Sequence, residues 1–293
     1  MLIFNALRAR SRRRLRLASL LVLPLALLLT PLSLLSQPAE PANVTAAPTQ
    51  AMAIDHAVFD SLLQRHVVGG FVDYDAFARS AAFTQYLAAL GRASLDGVSE
   101  DERLAFWINV YNAYTIQLIV AHRETGSIRN INKSLGVLRL KGPWSEPLVQ
   151  AAGQRLSLDD VFHGILRKGF AEPRIHFAVS CGAIACAPLR SEAYTGDRLV
   201  DQLNDQGRRF FRDSPMRNRI DRNRVQLSPI LMAYRNDFGA GRLDFMRAIA
   251  PWFEGEERKR LTDGRYILIE NTFDWALNSQ AIGRARGLLQ PPM

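Results

Sequence analysis

One segment of the chain, Arg103–His122, has a helical pattern that is apolar around most of its circumference. A helix with one face in solvent keeps a polar stripe on that face, so this helix must be surrounded by other parts of the fold. Ser99 provides a cap residue, and Glu100-Asp101-Glu102 place three acids where they complement the helix dipole. We therefore predict a domain built around a buried central helix. Its apolar positions are Phe106, Trp107, Val110, Tyr114, Leu118 and Ile119.

The segments before the central helix are also helical in pattern. Val58, Leu62 and Leu63 repeat at helical spacing, Gly69-Gly70 ends that helix, and Tyr74–Leu90 predicts the next one.

The segments after the central helix mix helix and strand patterns. We predict an α+β fold, in which a helical N-terminal part with a central buried helix packs on a small, mostly antiparallel sheet. The predicted helices are Ser157–Lys168 and Asp197–Arg212. The predicted strands are Val137–Leu140, Arg155–Leu158, Ile175–Ser180, Arg224–Leu227 and Tyr266–Ile269.

The N-terminus has the pattern of a targeting segment. Residues 1–36 contain six arginines and no acid, and their last part, Leu17–Leu35, is an uncharged apolar run of 19 residues. This arrangement predicts a signal peptide or a signal anchor, with the rest of the chain in the periplasm or otherwise outside the cytoplasm. If it is not cleaved, residues 17–35 would hold the protein to the inner membrane. Residues 37–53 are rich in Pro, Ala and Thr and predict a flexible linker, which leaves 54–293 as a single globular domain.

The charge of the chain comes mainly from that leader. The formal net charge is +9, but without the six leader arginines 31 of the 37 basic residues remain against 28 acidic ones, a charge of +3. We therefore expect no nucleic-acid partner.

The segment Arg174–Arg190 contains both cysteines, Cys181 and Cys186, together with His176. In an exported chain two cysteines fit one structural disulfide. The alternatives are a catalytic or substrate-binding thiol at Cys181, a metal ligand, or simple packing. In an extended strand His176 and Cys181 face opposite sides, so a dyad needs the chain to turn at Ser180–Gly182.

Other polar side chains lie within the helical segments. Asn109 and Asn112 share a face of the central helix, and their amides either tie loops to that helix or orient a substrate. Asp159 precedes His163 by four residues, a spacing that orients an imidazole, binds a metal or makes a surface ion pair, the last being the commoner case. The sequence has no His-x-x-x-His or Cys-x-x-Cys motif, and we expect neither a metal nor a cofactor.

Five motifs follow one another along the globular part. They are Phe106–Ala113, Leu158–Asp160 with His163, Ile175–Ala183 with Cys186–Arg190, Leu227–Ile230 and Asp274–Asn278. Together they resemble the bacterial and eukaryotic domain of unknown function 547, over about residues 56 to 280. The resemblance supplies a family and no reaction. Two of the motifs depart from the family pattern, which has Glu where this chain has Phe162 and Ser-Cys-Pro-Pro-Leu where it has Ala185–Leu189.

Two functional hypotheses follow. In the first, the chain is a binding or accessory module of the cell envelope, with Cys181 and Cys186 bridged. In the second, it is a thiol-dependent hydrolase or acyltransferase in which Cys181 is the nucleophile and His176 or His163 is the base. The substrate would then be oriented by Asn109, Asn112 and Arg190.

Overall fold

A computed structural model describes residues 54–131, 142–212, 218–221 and 223–290. It confirms the predicted α+β class, because helices predominate and the described strands form small two- and three-stranded sheets. The helices are α1 (Ala57–His66), α2 (Tyr74–Ala78), α3 (Ala81–Gly91), α4 (Glu100–Ala121), α5 (Arg167–Gly169), α6 (Ile175–Ala178), α7 (Leu199–Arg212), α8 (Pro229–Ala233), α9 (Arg242–Ile249), α10 (Gly255–Thr262) and α11 (Gln280–Ala285). The strands are β1 (Val67–Val68), β2 (Phe71–Val72), β3 (Val149–Ala151), β4 (Gln154–Leu156), β5 (Arg219–Asp221), β6 (Arg224–Leu227) and β7 (Ile267–Glu270).

Helix α4 is the predicted central helix, and it begins three residues earlier than the apolar pattern. The Ser99 hydroxyl accepts a hydrogen bond from the Glu102 backbone N–H, which caps the helix as expected. By length and composition α4 could cross a membrane, but 83% of its apolar window is buried inside the fold. Such burial is typical of the core helix of a globular domain. The apolar run at 17–35 lies outside the described residues, as does the linker, so the division into leader, linker and domain stays a prediction.

The helices before α4 differ in two details from the prediction. Val58 is 46% exposed, and the neighbouring Phe59 packs inward instead, stacked on Tyr86. The predicted helix Tyr74–Leu90 is two helices, because the Ser80 hydroxyl caps a new start by accepting from the Phe83 N–H. Ser80 is the residue that marks the start of the second helix, and the apolar periodicity alone does not show this start.

The break at Gly69-Gly70 is confirmed and has a definite geometry. The two glycines have φ of +58° and +84°. Positive φ at both central residues is what a two-residue hairpin turn of type I′ requires. The turn joins β1 to β2, with Val67 opposite Val72.

The strands after α4 are short and mostly antiparallel. Strands β3 and β4 pair antiparallel, and β4 corresponds to the predicted strand Arg155–Leu158. The predicted strands Arg224–Leu227 and Tyr266–Ile269 are confirmed as β6 and β7, although these two pair in parallel. Strand β5 pairs antiparallel with β6. The predicted strand Val137–Leu140 lies outside the described residues.

The predicted helix Ser157–Lys168 is present with an unexpected π-helical stretch at Asp160–Leu166. Its start is capped reciprocally, since the Ser157 hydroxyl accepts from the Asp160 N–H and the Asp160 carboxylate accepts from the Ser157 N–H. A π-helical turn is uncommon and is frequently found at functional sites.

The predicted helix Asp197–Arg212 is confirmed as a 3₁₀ turn, Gly196–Arg198, that continues into α7.

The predicted strand Ile175–Ser180 is wrong. Residues Ile175–Ala178 form the single helical turn α6, with the Val179 N–H donating to the Ile175 carbonyl at 3.1 Å. A short apolar run that is buried on every side has no periodicity that separates strand from helix. The segment lies where two apolar cores meet: Ile175, Ala178 and Val179 belong to the core around α4, and Phe177 belongs to a second core formed by the C-terminal elements.

Candidate functional site

The loop Cys181–Cys186 is a closed turn. The two Cα atoms are 5.7 Å apart and the sulfur atoms lie at bonding distance, a spacing typical of a disulfide. Gly182 has φ of +84°, and a Cβ there would lie 2.8 Å from the Ile119 Cδ1 of α4. Only glycine therefore satisfies both the backbone angle and the packing at this position.

Backbone hydrogen bonds fix this loop against the segment Asp274–Asn278. Asn278 is the main anchor: its side chain accepts from the Tyr74 hydroxyl at 2.6 Å and donates to the Gly70 carbonyl at 3.1 Å. The loop is consequently tied to the N-terminal hairpin through one buried amide. The backbone contacts join the Asn278 N–H to the Gly182 carbonyl, the Ile184 N–H to the Ala276 carbonyl and the Ala185 N–H to the Asp274 carbonyl.

His176 lies in a different environment, with a buried ring that is 1% exposed. Its Nε2 lies 2.8 Å from the Asp237 carboxylate, and the ring stacks on Tyr234 at a centroid distance of 4.8 Å. Burial lowers the pKa of His176 to about 4, against the opposing effect of Asp237. The ring is therefore neutral at pH 7, and its contact with Asp237 is a hydrogen bond donated by Nε2–H. The other ring nitrogen, Nδ1, is buried and has no hydrogen-bond partner within the part of the chain that the structure describes.

Asp237 connects His176 to Arg167. The Arg167 guanidinium donates from Nε at 2.6 Å and from Nη2 at 2.8 Å, one bond to each carboxylate oxygen. Burial acts to raise the pKa of Asp237, but the hydrogen bonds from Arg167 and His176 outweigh it and hold that pKa below its usual range. Asp237 is thus ionised and accepts three hydrogen bonds, two from Arg167 and one from His176.

His163 completes the cluster from the π-helix. The third Arg167 nitrogen, Nη1, donates to His163 Nδ1 at 3.1 Å, and burial followed by the Arg167 charge lowers the pKa of His163. The predicted Asp159–His163 pair is not hydrogen-bonded among the described contacts, but the two groups lie close enough that each shifts the pKa of the other. Phe162, where the family pattern has Glu, packs its ring edge-on against His176 at 5.6 Å.

A cleft of about 240 Å³ opens beside this cluster, and we call it the His176 cleft. Its charges are balanced, because Arg167 is paired with Asp237 and Glu172 with Arg174. The cleft is lined by Arg167, Phe170, Glu172, Pro173, His176 and Asp237, among others.

The segment 95–211 matches a protein-family model whose description is protein of unknown function, DUF547. Residues 95–211 form a DUF547 family domain. No curated protein and no solved structure matches the chain.

The DUF547 segment contains α4, the π-helix, α6, the Cys181–Cys186 loop and α7. Asp237 and Asn278 lie beyond the matched residues, so each site is completed by a side chain from outside the DUF547 segment. Sequence reasoning missed both roles. Asn278 had been noted only as part of a motif, and Asp237 carried no signal, since it lies 61 residues from His176.

The predicted dyad between Cys181 and a histidine is not formed. A dyad between His176 and Cys181 needs a turn between them, because in an extended strand they face opposite sides. The chain does turn there, but His176 contacts Asp237 and His163 contacts Arg167. The sulfur atoms face each other. The two histidines do share one cluster, and that cluster is completed by Asp237 rather than by a thiol.

Within the DUF547 domain, the two central-helix amides hold loops. Asn109 donates to the Tyr194 carbonyl and accepts from the Tyr194 N–H, at 2.8 and 2.9 Å. Asn112 does the same for the Ala178 carbonyl and the Ser180 N–H, both at 2.9 Å. Their exposures are 1% and 3%, so these amides position backbone and are not placed to orient a ligand in a surface cleft.

Arg190, the third predicted substrate contact, is buried between two carboxylates. It pairs with Glu192, and its Nη1 lies 2.6 Å from the Asp205 Oδ2 of α7. Its donors therefore hold the chain after the cysteine loop against α7 instead of facing a cleft. Among the described residues, no group of three or more His, Cys, Asp or Glu side chains is arranged to hold a metal ion.

Proposed function

We propose that this protein is an exported or membrane-anchored binding module of the cell envelope that takes a small, uncharged polar ligand into the His176 cleft. The observation that carries the proposal is the Asp237 carboxylate, which is held by Arg167 and His176 at the edge of that cleft. Ligand sites combine a concave surface with a few fixed polar groups, and this cleft has both.

The charge balance of the cleft favours an uncharged ligand. Arg167 and Glu172 each have an oppositely charged partner in place, so a charged ligand would have to displace one of them. A hydroxyl or amide group needs no such exchange, because it can donate to the one lone pair of the Asp237 Oδ1 that the described donors leave. The Phe170 and Pro173 side chains supply the apolar part of the lining.

The envelope location is supported by the sequence. The arginine-rich leader with its apolar run has the order of an export signal, and the pairing of the two cysteines suits an oxidising compartment. In this proposal residues 17–35 either are removed or hold the protein to the inner membrane.

The alternative is a thiol-dependent hydrolase or acyltransferase with Cys181 as nucleophile. It needs a reduced Cys181 and an imidazole in reach of it, and neither is found among the described contacts. A pKa of about 4 also makes His176 a weak base.

The test uses the full-length protein and a panel of uncharged sugars and amides, with saturation-transfer NMR as the readout. We expect binding by the wild type, by Cys181→Ala/Cys186→Ala, and by the control Asp263→Asn, which changes an exposed carboxylate elsewhere. Binding should be lost in Asp237→Asn and in Ala171→Trp, which fills the cleft without removing a hydrogen bond.

Two results would contradict the proposal. One is the absence of binding by the wild type to every member of the panel. The other is binding that survives Asp237→Asn and Ala171→Trp but disappears in the folded double cysteine variant, which would favour the thiol-dependent alternative.

A further inference from the structure

A second and larger cleft lies between the C-terminal half of α7 and the turn Ala250–Trp252. Its volume is about 390 Å³. We call it the arginine cleft, because three of its lining side chains are arginines. The lining consists of Arg174, Asn204, Arg208, Arg212, Pro251, Trp252 and Glu254.

The three arginines reach the arginine cleft from two elements. Arg208 and Arg212 are one helical turn apart on α7 and so share a face. Arg174 precedes α6, and its guanidinium is held by Glu172 and by the Asn204 side chain at 2.8 Å. Arg208 is the least constrained: its side chain is 61% exposed and its nearest carboxylate, Asp205, is 3.7 Å away.

The ion pairs around the arginine cleft leave an excess of positive charge. Asp205 is shared by Arg190, Arg208 and Arg209, so one carboxylate serves three guanidinium groups. Glu192 is likewise shared by Arg190 and Arg198. The residues that line the cleft are three arginines, Arg174, Arg208 and Arg212, and one carboxylate, Glu254, which leaves two positive charges in the lining. Glu172, which pairs with Arg174, lines the His176 cleft instead.

The wall of the arginine cleft at Trp252 is rigid. A Cβ at Gly207 of α7 would lie within 2.0 Å of the Trp252 Nε1, so the indole packs directly on the helix backbone and only glycine is tolerated there. The indole also stacks on Phe211 at 5.4 Å and meets Phe177 edge-on at 5.1 Å. The arginines therefore surround a fixed apolar surface.

We propose that the arginine cleft binds a phosphate-bearing ligand with two negative charges. Guanidinium groups match phosphate oxygens with paired N–H donors, and the excess of two positive charges equals the charge of a phosphate monoester. A volume of about 390 Å³ accommodates a phosphorylated small molecule or a lipid headgroup as well as the phosphate itself. The arginine cleft shares no lining residue with the His176 cleft, although the Glu172–Arg174 ion pair joins their walls.

The test is isothermal titration calorimetry on the full-length protein in an uncharged detergent. The probes are inorganic phosphate, glycerol 3-phosphate and short-chain phosphatidic acid. We expect binding of these probes. Tighter binding of the lipid by tenfold or more identifies a headgroup, and similar affinities for the three probes identify a soluble phosphate.

Matched variants separate a site from general attraction. Arg208→Gln/Arg212→Gln should weaken binding about tenfold or more, whereas Arg209→Gln, which changes a charge on the same helix outside the lining, should weaken it less than about threefold. Glu254→Gln removes the one carboxylate among the described lining residues and should tighten binding by about threefold. Failure of every probe to bind, equal weakening by Arg209→Gln, or weaker binding in Glu254→Gln would overturn the proposal.

Discussion

The cysteine loop and the His176 cluster begin only five residues apart in the chain, yet they are built in opposite ways. The cysteine loop is closed: its sulfurs are paired with each other and its backbone is paired with residues 274–278. The His176 cluster adjoins a cleft and contains a fixed carboxylate, Asp237. The cysteines, which have the strongest chemical signature in the sequence, thus hold the fold together, whereas the groups at the proposed ligand cleft come from distant parts of the chain.

The largest loss of stability is expected from a change at Asn112, the residue that joins the two regions. Asn112 holds the backbone at Ala178 and Ser180, between His176 and Cys181. Asn112→Ala should lower the free energy of unfolding by about 3 kcal/mol, since two buried backbone groups lose their partners. Urea unfolding measures this, with Gln85→Ala on the exposed face of α3 as the control. Equal stability of the two variants would contradict the assigned role.

A smaller effect is expected within the His176 cluster alone. Asp237→Asn keeps one acceptor oxygen but replaces the other by an amide NH2, which cannot accept from Arg167 or His176, and should cost about 2 to 3 kcal/mol. The control Asp263→Asn, at an exposed ion pair, should change the free energy of unfolding much less. The cysteine pairing should be unchanged in both, and a free thiol appearing in Asp237→Asn would show that the two regions are not independent.

Reduction tests the cysteine loop in the same way. A bridge that closes six residues is expected to contribute about 2 kcal/mol on the chain-entropy account. Unfolding of the wild type with and without a phosphine reductant measures this contribution. Reduction should leave ligand binding in the His176 cleft unchanged, and loss of that binding would join the two regions functionally.

The smallest expected change in stability is the one that accompanies each unit of falling pH. Burial lowers the pKa of His176 and that of His56 to about 4, whereas an unfolded histidine titrates near 6.5. Between these values the unfolded chain binds more protons, so stability should fall as the pH falls from 6.5 toward 4, by about 1 kcal/mol per pH unit for each histidine. His176→Gln should reduce the slope between pH 6.5 and 5, and an unchanged slope would contradict the buried neutral ring.

The sequence was sufficient where a pattern is local. The central helix was predictable because apolar residues surround it, and its start was predictable from Ser99. The helical turn α6 was not, because a short buried run has the same composition in either conformation. The partners of His176 were not predictable either, since Asp237 and Tyr234 approach through tertiary packing of the second core.

The bridge between Cys181 and Cys186, together with the proposed ligand site at Asp237, leaves no role for a free thiol. Reactive thiols are to be counted in the native full-length protein without reductant, and again after reduction and unfolding, because Cys186 is fully buried. We expect none in the first count and two in the second. One reactive thiol in the unreduced native protein at neutral pH, lost in Cys181→Ala, would contradict the account and favour Cys181 as a nucleophile.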